Sequence, residues 1–156
     1  MLIARAFNDE RRVANCLINI GILSTKLADF PLALSALSEA YSLVRERIQD
    51  PNIEAQCLIN LGNLYEGTGD HQKMLETYQL ALETVSGLDN RLLEAITTVN
   101  LGYAHKRLGQ LEAATQKFEI ALDLAHKIGH AKVEIAALDG LGQVQASLGQ
   151  IGRAHV

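Results

Sequence analysis

The sequence predicts an all-α protein, a right-handed solenoid of stacked helix–turn–helix units. The first observation that supports this prediction is a sequence repeat. Four Leu-Gly or Ile-Gly pairs recur at intervals of 41, 40 and 40 residues: Ile20-Gly21, Leu61-Gly62, Leu101-Gly102 and Leu141-Gly142. Self-similarity at a fixed period in this range is typical of stacked repeats. The other observation is composition, since the chain is only 4% aromatic and has two prolines. Clusters of β-branched residues bounded by turn residues, which indicate sheets, do not occur.

Each repeat contains the spacing of two packed helices, A and B. A small residue follows each glycine at an interval of seven residues and is predicted to end helix A, namely Ala28, Gly69, Gly109 and Gly149. In the third repeat, helix B then carries Ala114, Phe118 and Ala121. Spacings of four and three keep these residues on one helical stripe. We expect the small residues to let the helices approach and the bulky residue to fill the groove between neighbouring pairs.

This pattern sets the predicted boundaries. The A helices are predicted at 9–27, 51–67, 90–108 and 131–148, and the B helices at 31–48, 71–87 and 111–128. Residues 1–156 are therefore interpreted as a single array, with units near 9–48, 51–87, 90–128 and 131–156. Asp50 precedes Pro51 as a predicted helix cap, and Asp29 and Asp70 are predicted to cap B helices.

Both ends of the sequence resemble parts of further repeats. Residues 1–9 align with the end of the third B helix, and residues 151–156 align with its beginning. Repeat arrays normally finish in polar capping helices, because a repeat cannot bury its apolar face alone. The ends are apolar instead, with Met1, Leu2, Ile3 and Phe7 at one end and Ile151, Ala154 and Val156 at the other. We therefore expect part of a longer array that self-associates end to end or by exchanging helices.

The order of these residues resembles the tetratricopeptide repeat. In the third unit, the residues that match the repeat are Leu101, Gly102, Gly109, Ala114, Phe118 and Ala121. The second unit follows with Leu61, Gly62, Tyr65, Gly69, Tyr78 and Ala81, but has Met74 where Ala is expected. The period of about 40 exceeds the usual 34 residues, and the helix-ending proline is missing, as in long-repeat members. The resemblance implies a solenoid with the A helices along a concave groove, and a function in binding proteins or peptides.

The predicted groove-facing stripe of the A helices is rich in carboxamides. Seven of its sixteen positions are Asn or Gln and none is acidic: Asn15, Asn19, Ile22, Lys26; Gln56, Asn60, Asn63, Gly67; Ile96, Asn100, Tyr103, Arg107; Ala136, Gly140, Gln143, Ser147. Asn inside a helix costs roughly half a kcal/mol relative to Ala. The recurrence of Asn at positions 19, 60 and 100 therefore requires an explanation.

The functional interpretation is that the carboxamides bind the backbone of an extended peptide, because each offers donors and an acceptor that match a peptide unit. The arrangement is similar to the asparagine ladder of some tetratricopeptide grooves. Lys26, Lys106 and Arg107 favour acidic segments or a terminal carboxylate, and Tyr103 can stack or donate a hydrogen bond. The predicted peptide-binding residues are Asn15, Asn19, Lys26, Gln56, Asn60, Asn63, Asn100, Tyr103, Lys106, Arg107 and Gln143.

A structural interpretation of the same stripe is the alternative. The carboxamides then bond one another, or neighbouring backbone, across adjacent A helices and organise the solenoid. Gly140 interrupts the row in the fourth repeat, so a bound segment is expected to engage mainly the first three.

Composition excludes several classes of partner. The net charge is −4 and no segment gathers Lys and Arg, so nucleic acid is not an expected partner. Apolar runs stay well below the ~18 residues of a membrane span, and the N-terminus lacks a signal peptide, so we expect a soluble, cytoplasmic chain. Cys16 and Cys57 occupy matching repeat positions and are predicted to be small buried residues in a reducing compartment.

No enzymatic motif, cofactor site or metal site is predicted. His126 and His130 stand four apart, but Gly129 lies between them at the predicted helix end and no Glu or Cys accompanies them. The expected function is therefore a protein-interaction module that binds a peptide or partner segment, as the sensor or scaffold part of a larger signalling or regulatory protein. The alternative is a self-assembly or spacer element that forms homo-oligomers through its terminal helices.

Overall fold

The structure is a computed structural model that describes the backbone of residues 2–154 and the side chains of residues 9–149. These residues form seven α-helices and no strand: α1 (Leu2–Lys26), α2 (Phe30–Leu43), α3 (Pro51–Thr68), α4 (His71–Val85), α5 (Arg91–Arg107), α6 (Leu111–Ile128) and α7 (Ala131–Ala154). A π-helical turn at Val44–Ile48 continues α2. The chain divides into two compact units, residues 1–85 with α1–α4 and residues 86–156 with α5–α7. The predicted all-α repeat fold is confirmed.

The internal helix boundaries lie within about two residues of those predicted. The predicted caps are present, because the Asp50 carboxylate accepts hydrogen bonds from the backbone N–H groups of Asn52, at 2.9 Å, and Ile53. The Asp29 carboxylate accepts one from the N–H of Leu32 at 3.2 Å. Side-chain oxygens thus satisfy N–H groups that have no partner within the helix.

The terminal helices are longer than predicted. Helix α1 runs unbroken from Leu2 instead of beginning near residue 9, and α7 continues to Ala154 past the predicted end at Gly149. Gly69 and Gly109 end their helices with φ angles of 78° and 73°, whereas Gly149 keeps a helical backbone. Glycine costs about 1 kcal/mol inside a helix but does not by itself end it. The apolar side chains predicted to leave both ends open lie outside the described residues: Met1, Leu2, Ile3, Phe7, Ile151, Ala154 and Val156.

In the first unit, α1 packs on α2 and α3 packs on α4. The predicted small-to-bulky contact is present in both pairs. A Cβ atom on Gly62 would lie 2.3 Å from Cε1 of Tyr78, and one on Gly21 would lie 2.4 Å from Cγ of Leu37. Both bulky side chains are almost fully buried. Glycine is therefore required for these helices to approach so closely.

In the second unit, the ring of Phe118 on α6 is fully buried between two glycines. A Cβ atom would come within 2.6 Å of the ring at Gly102 of α5 and within 2.4 Å at Gly140 of α7. Gly142, which the repeat alignment equates with Gly102, would place its Cβ at least 4 Å from every described neighbour. Gly140, interpreted from the sequence as a gap in the carboxamide row, is therefore a packing residue that receives the preceding B helix.

The two cysteines lie in different environments. Cys57 is fully buried with Ala14, Ala40 and Val44, and burial, followed by the nearby charge of Glu54, raises the pKa of its thiol to about 12. The prediction that Cys16 is also buried is wrong, because Cys16 is exposed.

Cys16 belongs to an exposed apolar stripe on α1. The other members are Val13, Ile20, Leu23 and Leu27, which are 49%, 44%, 59% and 72% exposed. The repeat-equivalents of Ile20 and Leu23 on α3 are Leu61 and Leu64, which are buried in a cluster with Ala33 and Leu37 of α2. Among the described residues, no preceding B helix covers the same side of α1, and this explains the exposure of Cys16.

Candidate functional site

A small pocket lies between α1 and α3 in the first unit. It has a volume of about 90 Å³ and is lined by Ile22, Thr25, Lys26, Asn60 and Asn63, and we call it the α1–α3 pocket. Four of these residues belong to the stripe that the sequence predicted to face the groove. The structure therefore brings together Lys26, Asn60 and Asn63 from two A helices that are consecutive in the repeat.

The polar groups of the α1–α3 pocket are partly engaged by the protein itself. Nδ2 of Asn60 donates a 2.8 Å hydrogen bond to the Gln56 carbonyl oxygen in its own helix. Oδ1 of Asn63 accepts a 2.6 Å hydrogen bond from the Tyr78 hydroxyl group. Lys26 is exposed and has no ion-pair partner among residues 9–149. The pocket thus presents donors from Lys26 and Asn63 and an acceptor from Asn60.

Three further predicted residues of the first unit lie on the same helices outside this pocket. Asn15, Asn19 and Gln56 have exposed side chains. The carboxamides of Asn15 and Asn19 make no hydrogen bond within the part of the chain whose side chains are described. Their spacing on α1 places them on the same face as Lys26.

The second unit has a larger pocket between α5 and α7. We call it the α5–α7 pocket, and it has a volume of about 260 Å³ and is lined by Ile96, Val99, Asn100, His130, Lys132, Val133 and Ala136. Asn100 is half-buried, and its carboxamide has no hydrogen-bond partner among the described residues. Nδ1 of His130 accepts a 3.3 Å hydrogen bond from the backbone N–H of Val133. The pocket combines aliphatic walls with one unpaired carboxamide.

A polar network next to this pocket connects α5 to α7. The Tyr103 hydroxyl group lies 3.0 Å from both the Ala136 carbonyl oxygen and the Asp139 carboxylate. Nε2 of Gln143 donates a 2.6 Å hydrogen bond to the same carboxylate, and Nζ of Lys106 donates to Oε1 of Gln143. For Tyr103, Lys106 and Gln143 the geometry is that of the structural alternative, in which polar side chains bond across adjacent A helices.

Sequence reasoning missed three polar residues of this region: His130 and Lys132 at the pocket, and Asp139 in the network. Asp139 stands four residues before Gln143 on α7, an interval that places both on one helical face. The predicted stripe ran through Gly140 instead and therefore contained no acidic residue. The signal for Asp139 was present in its spacing from Gln143.

The two histidines that were considered for metal binding have other partners. Nε2 of His126 lies 3.0 Å from Oε1 of Glu134, across the turn between α6 and α7. Nδ1 of His130 accepts a hydrogen bond from the backbone N–H of Val133 in the first turn of α7. Within the described residues, no group of three His, Cys, Asp or Glu side chains is arranged to hold a metal ion. Over the same residues, no helix is long and apolar enough to cross a membrane.

These helix–turn–helix repeats, with a glycine packed against a bulky side chain in each pair, define an α-helical repeat protein. The sequence model of the tetratricopeptide repeat family matches residues 53–127, and this segment is therefore identified as tetratricopeptide repeats. No curated protein sequence matches the chain.

Solved structures support the same fold. The apo form of RapI superposes with a TM-score of 0.82 at 17% identity, over 92% of this chain and 52% of RapI. Aspartyl phosphate phosphatase F from Bacillus subtilis gives a TM-score of 0.81 at 17% identity, over 91% of this chain and 37% of the phosphatase. BtubC (BKLC) from P. vanneervenii gives 0.75 at 26% identity, over 97% of this chain and 66% of BtubC. The chain therefore spans about half of RapI and less of the phosphatase.

Proposed function

We propose that this protein is an interaction module that binds an extended peptide segment of a partner protein along its A helices. The observation that carries the proposal is Asn100, whose half-buried carboxamide has no partner among the described residues. A polar group without a partner costs free energy when it is removed from water, and a peptide backbone supplies the missing donor and acceptor. Asn15 and Asn19 present carboxamides of the same kind on α1.

The charge of the first unit's pocket favours an acidic segment. Lys26 has no acidic partner among residues 9–149, and Asn63 accepts from Tyr78 through Oδ1, which leaves its Nδ2 hydrogens to donate. A carboxylate accepts such hydrogen bonds, and bonds from a charged donor are stronger than neutral ones. Asn60, Gln56 and Arg107 remain in the proposed binding set.

Tyr103, Lys106 and Gln143 have a different place in the proposal. Their bonds to one another and to α7 hold α5 and α7 together, so they position the groove. The module is proposed to be non-catalytic and to serve as the sensor or scaffold part of a larger regulatory protein in the cytoplasm. The phosphatase activity named for one structural relative is not proposed for this protein, because a similarity of 17% identity shows only the fold.

A selection experiment tests peptide binding directly. A phage library of random linear peptides is selected on the wild-type protein, and a selected peptide is titrated by fluorescence anisotropy. The Asn19→Ala/Asn100→Ala variant is expected to bind about tenfold more weakly, a loss of ~1.4 kcal/mol. Gln116→Ala, which removes an exposed carboxamide from α6, is the matched control and is expected to bind as the wild type does. A library that yields no binder, or equal binding by all three proteins, contradicts the proposal.

Self-association is the second candidate function, and the apolar stripe on α1 favours it. Val13, Ile20, Leu23 and Leu27 expose between 44% and 72% of their surface, and their spacing of seven, three and four residues resembles a coiled-coil seam. Analytical ultracentrifugation over a range of concentrations tests this function. Ile20→Lys/Leu27→Lys is expected to abolish association, whereas Leu80→Lys on α4, a residue 43% exposed, is expected to leave it unchanged. A wild-type protein that remains monomeric at high concentration excludes this candidate.

A further inference from the structure

We infer that the α5–α7 pocket receives one aliphatic side chain of the bound segment, of the Leu, Ile or Met type, while Lys132 binds the carboxylate of an acidic residue beside it. The inference rests on the proposed function and specifies the class of peptide. It draws on the pocket's size, its walls and the charges at its rim.

The size of the pocket suits one side chain. Its volume of about 260 Å³ lies below the ~300–1,000 Å³ typical of sites for drug-sized ligands. It is also several times the ~30 Å³ that one water molecule occupies in the liquid. A single aliphatic side chain lies between these limits.

The walls of the pocket are aliphatic. Val99 and Val133 are 4% and 5% exposed, whereas Ile96 and Ala136 are half-buried and pack against the same core. Covering such a surface with an apolar side chain removes it from water, which is favourable roughly in proportion to the apolar area covered. The remaining lining residues are Asn100, His130 and Lys132, which can bind polar groups next to the inserted side chain.

The polar groups around the pocket select what adjoins that side chain. Asn100 at the pocket offers a donor and an acceptor to the backbone of the inserted residue. Lys132 is exposed and has no ion-pair partner in the described part of the chain.

The two acidic residues that follow Lys132 on α7 are already engaged. Glu134 lies against His126, and Asp139 lies against Tyr103 and Gln143. The cation of Lys132 therefore remains available for a carboxylate of the ligand. Binding through Lys132 is consequently expected to weaken with salt.

Two variants separate this inference from the proposed function. Ala136→Leu fills the pocket from within α7 and leaves the backbone carbonyl that Tyr103 contacts. Lys132→Glu reverses the charge at an exposed position. Lys117→Glu on α6 makes the same charge change away from the pocket and is the control. Circular dichroism melting curves establish that each variant is folded.

The selection uses the same random peptide library. Wild-type protein is expected to enrich an aliphatic residue next to Asp or Glu, and replacing that aliphatic residue by Ala is expected to weaken binding about tenfold or more. Ala136→Leu is expected to weaken binding to a similar extent. Lys132→Glu is expected to weaken it at least about fivefold and to reverse the effect of salt at this contact, because salt then screens a repulsion. Lys117→Glu is expected to leave binding unchanged.

The possible failures are distinguishable. Peptides that bind through Asn19 and Asn100 but show no aliphatic–acidic enrichment, or tolerate both pocket variants, overturn this inference and leave the proposed function standing. A library without any binder overturns both. Should Ala136→Leu fail to fold, the Lys132→Glu variant and the Ala-substituted peptide decide the inference between them.

Discussion

The hydroxyl group of Tyr78 donates a 2.6 Å hydrogen bond to Oδ1 of Asn63, linking the B helix α4 to the A helix α3. Burial, followed by the nearby charge of Glu66, raises the pKa of Tyr78, so its phenol stays protonated and continues to donate. Asn63 therefore belongs to the fold as well as to the proposed groove. Its substitution is therefore expected to affect stability together with the proposed binding.

This link predicts a coupled pair of mutations. Tyr78→Phe is expected to lower the free energy of unfolding by about 1 kcal/mol, and Asn63→Ala by ~1–2 kcal/mol, because the latter leaves a buried donor without its partner. In the Tyr78→Phe background, Asn63→Ala is expected to cost almost nothing. Urea unfolding of the four proteins measures the coupling. Additive effects of the two substitutions contradict the prediction.

Two glycines on α7 predict opposite effects of the same substitution. Gly140→Ala places a Cβ 2.4 Å from the Phe118 ring, whereas at Gly142 no described neighbour lies within 4 Å of the added Cβ. We expect Gly140→Ala to destabilise the protein by at least ~2 kcal/mol through overpacking. Gly142→Ala is expected to stabilise it by up to ~1 kcal/mol through helix propensity. Thermal unfolding monitored by circular dichroism distinguishes them, and equal effects of the two substitutions would show that Phe118 does not occupy this position.

Ala28 is a position at which a substitution is expected to stabilise the protein. It ends α1 with a φ angle of 59°, in the left-handed region where the equivalent residues Gly69 and Gly109 also lie. An L-residue with a Cβ atom pays about 1 kcal/mol or more for this conformation, whereas glycine does not. Ala28→Gly is therefore expected to raise the free energy of unfolding by ~1 kcal/mol.

The control for Ala28 is Ala146→Gly, made at an exposed position inside α7. It is expected to lower the free energy of unfolding by a similar amount. Chemical denaturation compares both variants with the wild type. A destabilising Ala28→Gly variant is incompatible with a left-handed backbone at this residue.

The cysteines are expected to react at different stages of unfolding. Cys57 is buried, with its thiol pKa raised to about 12, whereas Cys16 is exposed on α1. Because the thiolate is the reactive form, iodoacetamide at pH 8 is expected to label Cys16 in the native protein and Cys57 only after denaturant is added. Peptide mass spectrometry locates the label, with Cys16→Ser as the control. Rapid native labelling of Cys57 would place it outside the core.

The sequence predicts the fold well because its signal is local and repeated. The period of the Leu-Gly pairs and the small–bulky–small spacing predicted the contacts of Gly62 with Tyr78 and of Gly102 with Phe118. These contacts follow from helical geometry alone. The Asp50 cap and the left-handed glycines at positions 69 and 109 were predictable for the same reason.

The burial of individual residues and the end of α7 were predicted less well, because they depend on which helices pack against each repeat. Cys16 and Cys57 occupy equivalent positions but differ in burial, because among the described residues a preceding B helix covers this face of α3 and none covers that of α1. Gly149 resembles Gly69 and Gly109 but keeps a helical backbone. Repetition in the sequence therefore predicts which residues occupy equivalent positions. It does not predict which of them are covered by a neighbouring helix.

The candidate site was predicted in its residue types more than in its roles. Asn60 and Asn63 line one pocket and Asn100 lines another, on the helices expected. Tyr103 and Gln143 proved to be engaged with Asp139, which the chosen stripe had passed by. A hydrogen-bond network depends on side-chain positions across two helices, and the order of residues along one helix does not determine them.

The burial of Phe118 between Gly102 and Gly140 has a consequence for how the second unit responds to heat and force. The Phe118 ring of α6 packs against both α5 and α7. Detachment of any one of the three helices therefore exposes the ring to water or leaves a cavity between the other two. Partial detachment of α7 is therefore penalised, and α5, α6 and α7 are bound to melt as a single cooperative block. Their slowest-exchanging amide protons should consequently lose protection together.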